Sequence, residues 1–338
     1  MDTQPRHVST VFQINIFIVT VLIFILLLHK PICHFNSYDK APDLIPLSKE
    51  ELAAIPTHVK VGLNILSFSK ADLIKNDFIF EGSVWFEFDE KQIPLDSIKK
   101  FVIERGEIIN QSEPVIRKIG NLTCAQFFIR AHFETDLNYQ GYPLDDHRIA
   151  IIITNRTVSA ETTVFKASND TFTHSKDAHI QNCTLENNFV QYGYTQTDLA
   201  LSKQTSIKTP RVIFSLDCNR IDIRHFLNVF LPLLLIFFLT LFAFSFDFEE
   251  HGTTVPTIAA SGVPALLAYR FVIESVSPDV DYFMLSDHLF FLFLFLVFMI
   301  FIFIASALHS SQKVKKAIII GLYACMLISC AMLFNSIV

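Results

Sequence analysis

Five stretches of the chain stay apolar long enough to cross a bilayer as a helix, which takes about 20 residues. They cover residues 11–28, 226–246, 254–275, 288–308 and 317–338. The region between the first two behaves differently. "FIFEGSVWFEF" (78–88), "RIAIIIT" (148–154) and "TPRVIFSL" (209–216) are short, β-branched and aromatic, the pattern of strands. Asn, Asp, Ser, Gly and Pro punctuate the sequence between them. No apolar stripe of helical period runs for three turns there, so the pattern predicts a β-sandwich. The expected organisation is an N-terminal signal peptide or anchor in residues 1–36, a β-sandwich domain in 37–224 and an all-α domain of four spans in 225–338.

One span departs from the rest. "HLFFLFLFLVFMIFIFIAS" (288–306) is almost pure Phe, Leu and Ile, whereas "TTVPTIAASGVPALLAYRF" (253–271) carries threonines, a serine, a glycine, two prolines and an arginine. Thr254, Thr257 and Ser261 recur at spacings of three and four and share one helical face, which Pro264, Ala268 and Val272 continue. A wet face on an otherwise protein-packed helix suits a pore lining, with polar rings at one end and an apolar constriction beyond. Small polar residues at the same spacings also suit close packing between helices without a pore. Pro264 removes a backbone hydrogen bond at mid-helix. Arg270 is costly in a membrane unless paired, and Glu274, four residues on, is its helical partner.

Composition narrows the class. Of 338 residues 51% are hydrophobic and 35 are Phe, which points to a membrane protein. A net charge of -6 with no long basic run argues against a nucleic-acid partner. "HSSQKVKK" (309–316) is the one basic connector and belongs on the cytoplasmic side. The β domain and the C-terminus then lie outside a plasma membrane, or an inner membrane in a Gram-negative cell. The N-terminal run behind Arg6 must carry the domain across, as a signal peptide or an uncleaved anchor; "HKPICHF" offers no small-residue cleavage site. No G-x-S-x-G, H-E-x-x-H, Cys/His metal spacing or phosphate loop occurs, so no enzyme, cofactor or metal site is expected. One disulfide is expected among Cys124, Cys183 and Cys218, with the pairing open. Asn110, Asn121, Asn155, Asn169 and Asn182 begin N-x-Ser/Thr sequons, acceptors in a eukaryote if exposed.

Four segments in chain order carry a resemblance: "GLNILSFSKADLIKNDFIFEGSVWFEFDE", "NYQGYPLDDHRIAI", "RIDIRHFLNVFLPLLLI" and "ESVSPDVDYFMLSD". Together they resemble the first two strands, the Y/F-P-F-D loop, the start of the first span and the linker after the second span of the pentameric ligand-gated ion channels (Cys-loop receptors). The likeness is to prokaryotic-type members, which lack the bracketing cysteines and a cytoplasmic domain. Thr135 and Ile149 stand near the cysteine places, and "SEPVIRKIGNL" replaces the usual Trp-Pro element.

The resemblance implies a homopentamer around a pore lined by the second span, opened by a small extracellular ligand or by protons. Glu249 and Glu250 fall at the inner mouth and imply a preference for monovalent cations. Asp72, Pro143, Asp145, Arg220, Pro278 and Tyr282 fall where the outer domain acts on the spans, Asp145 and Arg220 as a charged pair. Trp85, Tyr192 and Tyr194 are the aromatics for a cationic amine. Two other uses stay open. Pro264 and the missing Trp-Pro element favour a channel-shaped receptor that does not conduct; a membrane-anchored adhesion module without a pore is the other.

Overall fold

The structure, a computed structural model, describes residues 8–181, 183–198, 206–220, 223–246, 254–306 and 310–336. It divides into two compact units. One comprises Asp39–Asn138 and Asp146–Arg220; the other comprises Met1–Tyr38, Tyr139–Asp145 and Ile221–Val338.

Helix α1 (Thr10–Cys33) belongs to the second unit. The first holds two short α-helices among its described residues, α2 (Lys49–Ala54) and α3 (Leu95–Ile98), and is otherwise built of strands. These are β1 (Thr57–Asp72), β2 (Asp77–Phe88), β3 (Val102–Ile103), β4 (Gly106–Gln111), β5 (Val115–Ile119), β6 (Leu122–Phe133), β7 (His147–Thr154), β8 (Thr163–Lys166), β9 (Phe172–His174), β10 (Thr184–Asp198) and β11 (Ser206–Asn219). One sheet runs β4-β6-β2-β1-β8, with β5 on β6 and β9 on β1; the other runs β10-β11-β7-β3. β8 and β9 pair parallel to β1, and the remaining pairs are antiparallel.

Alternation builds the shared core. On β2, Phe78, Phe80, Val84, Phe86 and Phe88 are buried, while Glu81, Trp85 and Glu87 lie on the other face. They meet Phe127, Ile129 and Phe133 of β6 and Ile151, Ile153, Phe214 and Leu216 of the second sheet in one apolar cluster. β7 is continuously apolar because its second face is covered too: Ala150 and Ile152 pack with Ile213 and with Leu44, ahead of β1. That covering segment is held by main-chain pairing of Ile45 with Tyr194 and by the Arg211 guanidinium, which donates to the Asp43 carbonyl.

The open disulfide resolves to Cys183–Cys218, joining the chain just before β10 to the end of β11 with Cα atoms 5.5 Å apart. The sequon reading fails at Asn155, which is fully buried and donates its side-chain amide to the Ser97 carbonyl at 2.7 Å. Asn110 and Asn121 are exposed, and Asn182 lies outside the described residues.

In the second unit α4 (Ile223–Leu241) runs into a 3-10 turn at Phe242–Ser245, followed by α5 (Thr254–Val276), α6 (Leu285–Ser306) and α7 (Gln312–Asn335). With α1, five helices among the described residues are long and apolar enough to cross a membrane. α5 packs on α4 and α6, and α7 on α6 and α1. Aromatic rings fill the interior: Phe230 and Phe237 of α4 meet Phe293 of α6, and Phe237 meets Tyr323 of α7. The N-terminal run, expected as a signal peptide or anchor, stacks Phe24 on Phe230 and sets Phe17 edge-on to Phe238. The outward faces stay apolar, with Leu227, Leu231, Leu235 and Leu239 on α4 and Phe291, Phe295 and Phe298 on α6 exposed. α7 begins five residues before the apolar run. Its first turns take in Lys313, Lys315 and Lys316, since lysine is a good helix former with an apolar stem. Lys316 Nζ lies 5.3 Å above the Phe12 ring of α1.

Replacing Cys183 and Cys218 by Ser should lower the stability of the β unit by about 3–4 kcal/mol, the loop entropy of a bridge of this span. Thermal unfolding under oxidising and reducing conditions checks this: the two curves should differ for the parent protein and coincide for the variant.

Candidate functional site

Helix α5 has two faces of different character. Val255, Ala259, Gly262, Leu266 and Ile273 are buried. Gly262 permits the close approach: a Cβ there would stand 2.6 Å from Thr240 Oγ1 of α4 and 2.8 Å from Val297 Cγ1 of α6. Thr254, Thr257, Ser261, Pro264, Ala268 and Val272, the predicted stripe, are all exposed in the single chain. Pro264 sits inside α5, which runs as one helix from Thr254 to Val276. Lacking an N–H, it gives no helical hydrogen bond to the Ala260 carbonyl.

Beyond the C-terminal end of α5 the chain makes a node with residues 139–145, the Y-P-L-D loop. A helix start leaves its first amide hydrogens without partners in the helix. At α6 the loop supplies them: Leu285 N–H donates to the Gln140 carbonyl at 2.9 Å and Ser286 N–H to the Tyr142 carbonyl at 3.0 Å. Asp287 Oδ2 accepts from Met284 N–H at 2.8 Å. Tyr139 N–H donates to the Tyr282 hydroxyl at 2.9 Å. The Tyr142 ring is fully buried, and its hydroxyl lies 2.6 Å from both the Val276 carbonyl at the end of α5 and His225 Nε2 at the start of α4. A carbonyl can only accept, so the phenol proton goes to Val276. The phenol oxygen then accepts from His225, which fixes the proton of its neutral form on Nε2. One loop is thereby tied to α4, α5, α6 and the α5–α6 linker. Pro143, Asp145 and Pro278 are buried.

The expected Arg270–Glu274 pair is present at 2.9 Å, and the same guanidinium donates to Asp287 of α6. Arg270 also stands over the Phe290 ring, 5.4 Å from its centroid. Arg270, Glu274 and Asp287, with Asp279, Asp281 and Tyr282, line a cleft of about 620 Å³ at the end of α5. An arginine between two carboxylates and an aromatic face is compatible with a partly apolar setting, and it ties α5 to α6.

Other expected residues stand elsewhere. Asp72 Oδ1 accepts from Ile74 and Lys75 N–H at 3.1 and 3.0 Å, so it shapes its own turn. Asp145 and Arg220 fall in different units; Arg220 donates its main-chain N–H to Asp146 at 2.8 Å. Glu249 and Glu250 lie outside the described residues. Trp85 is half-buried on the outer face of β2, above Gly62, where any Cβ would collide with the indole. Tyr192 and Tyr194 are on β10 in the other sheet, and Lys208 Nζ lies 5.3 Å from the Tyr194 ring. Trp85 thus belongs to one sheet and Tyr192 and Tyr194 to the other.

Sequence reasoning missed the Tyr142 hydroxyl, His225 and Asp287 as working groups. A signal existed for two: a histidine opening an apolar span, and an acid in the first turn of the next. No protein-family model matches the chain, and no curated protein matches it.

Gly262→Val should destabilise the helical unit by about 1–3 kcal/mol through overpacking against Thr240 and Val297. Tyr142→Phe should cost about 1–3 kcal/mol by stranding the Val276 carbonyl. Thermal unfolding of the detergent-solubilised protein checks both, with Leu267→Val, on the exposed side of α5, as the near-neutral control.

Proposed function

We propose that the chain is one subunit of a homopentameric ion channel, opened by an extracellular stimulus, with α5 lining the pore. The observation that carries the reading is the division of α5. One apolar stripe is buried on α4 and α6, and the opposite stripe is polar at the N-terminal end, apolar beyond and wholly uncovered. In a lone membrane protein that polar stripe would face hydrocarbon; in a ring of five it faces water. α1 packs against α7 and the rings of α4, which suits the lipid side of a subunit.

Assembly has support in the β unit as well. Val115, Leu122 and Phe128 are exposed apolar side chains on β5 and β6, and a second copy would cover them. The large N-terminal domain faces outside and α7 starts at the cytoplasmic side, as the lysines of its first turns favour. One unit built of two β-sheets and one built of membrane-length helices are the two parts that a subunit of the pentameric ligand-gated channels has. Residues 139–145 are continuous with β6 and β7 yet bonded to three helix ends, so a displacement of that loop reaches α5 and α6 together. The sequence positions of Glu249 and Glu250, outside the described residues, favour a preference for monovalent cations. The stimulus is a small molecule or protons, and no enzymatic step is involved. Pro264, in the middle of the uncovered stripe, favours a second reading, a pentameric receptor that does not conduct.

Purified protein in a planar bilayer tests the choice. Currents should reverse at a potential that follows the cation gradient. A thiol reagent should reduce them in Thr257→Cys, on the uncovered stripe, and leave Ala259→Cys, on the buried one, unaffected. Silent pentamers under every stimulus would select the non-conducting receptor, and monomers would remove both readings.

A further inference from the structure

Helix α1 has two distinct faces, which a leader peptide does not need. A secretory signal requires a basic start, an apolar run of about 7–15 residues and a small-residue cleavage site. α1 is 24 residues long, about 36 Å at helical rise, which exceeds the apolar thickness of a bilayer, about 30 Å. Its buried residues are Gln13, Thr20, Phe24 and Pro31, and half-buried Phe17 falls on the same stripe. Val11, Leu22 and Leu26 stand exposed on the opposite side. Of the three polar residues between Val11 and Leu28, Gln13 and Thr20 therefore turn inward. Thr20 Oγ1 donates to the Ile16 carbonyl at 2.7 Å, so its hydroxyl is satisfied within the helix. Asn15 alone turns outward, in the second turn. Polar residues inward and aliphatic residues outward is the arrangement of a helix packed on other helices in lipid.

The inward stripe is engaged along its whole length. At the start of α1, buried Val8 donates its N–H to the Phe244 carbonyl, just past α4, at 3.2 Å, and Lys316 of α7 reaches the Phe12 ring. In the middle, Phe17 meets Phe238 edge-on with centroids 4.4 Å apart. Farther along, Phe24 touches two helices at once, stacked on Phe230 of α4 at 4.7 Å and tilted against Phe334 of α7 at 5.8 Å. Past the end of α1, the Tyr38 hydroxyl donates to the Ser336 carbonyl at 3.0 Å. Start thus meets start and end meets end, so α1 runs parallel to α7. The residues ahead of α1 then share a side with the lysines that open α7, the side that basic residues prefer.

We propose that α1 is not removed after insertion. It stays in the mature protein as a fifth span, with the residues ahead of it in the cytoplasm, and it holds the far end of α7 to α4. Cleavage in "HKPICHF" would take Phe24 away from Phe230 and Phe334 together. Lipid tails would cover those rings, so the loss would be one of packing and not of hydrophobic burial. The helix also departs from the four spans expected of a pentameric channel subunit. Nothing in this requires a conducting pore: silent protein in a bilayer would leave the inference standing.

Intact-mass measurement of untagged protein, purified from membranes and enzymatically deglycosylated, tests retention. The mass should include residues 1–36; a species beginning after α1 would overturn the proposal. An epitope placed ahead of α1 tests orientation. Protease added to sealed cells should leave the epitope on the chain, and protease added to opened cells should remove it; removal in sealed cells would overturn the cytoplasmic placement. The holding role is read from thermal unfolding in detergent. Phe24→Ala should lower the midpoint by about 5 °C or more, whereas Leu26→Ala, on the outward side, should leave it unchanged. Phe24→Leu, which keeps most of the packed volume, should recover part of the loss. Equal midpoints for Phe24→Ala and Leu26→Ala would show that α1 holds nothing, and would overturn that part even if the helix is retained.

Discussion

The amide hydrogens at the start of α6 have no carbonyls of their own helix to meet, and in this chain a loop from a distant part of the sequence meets them. Gln140 and Tyr142 offer main-chain carbonyls to Leu285 and Ser286, while the Tyr142 hydroxyl bridges α4 and the last carbonyl region of α5. The need to satisfy these groups beside an apolar bundle is strong, because an unpaired backbone group there costs several kcal/mol. The placing of α5 follows from it. With its C-terminal end tied through Val276, and Arg270 held by Asp287, the helix can bury one stripe against α4 and α6 and leave the other uncovered.

Much of this was written in local patterns. The long apolar runs mark all five helices, and alternation marks β2 because its inward phenylalanines and outward charged residues differ so sharply. The α5 stripe was legible for the same reason: spacing of small polar residues against Leu and Val fixes which side is which. β7 was harder to place. Its unbroken apolar run says that both faces are covered but not by what, and Leu44 is some hundred positions earlier in the chain.

Long-range pairings were beyond local reading. Nothing near Asp287 in sequence announces Arg270, and nothing near His225 announces a phenol 83 positions earlier. Asn155 shows the reverse failure: a sequon is a surface signal only while its asparagine stays outside, and here the side chain closes a turn against Ser97. The aromatics Trp85, Tyr192 and Tyr194 were grouped by chemical type, whereas the sheets distribute them by strand order. Residue type predicted faces well and partners poorly, since faces follow from periodicity and partners from topology.

The position of residues 139–145 in the chain has a consequence for biosynthesis. A ribosome finishes this loop well before it makes α4, α5 or α6, so the loop exists for a time without the helix groups it finally bonds. The strands on either side of it can pair first, because β6 and β7 find their partners within the β unit. Closing of the loop onto the helix ends is then a late event that requires α4, α5 and α6 all to have been made and packed. A chain with one of these helices misplaced would leave the Tyr142 ring uncovered and two helix amides unmatched, a defect that quality control could recognise.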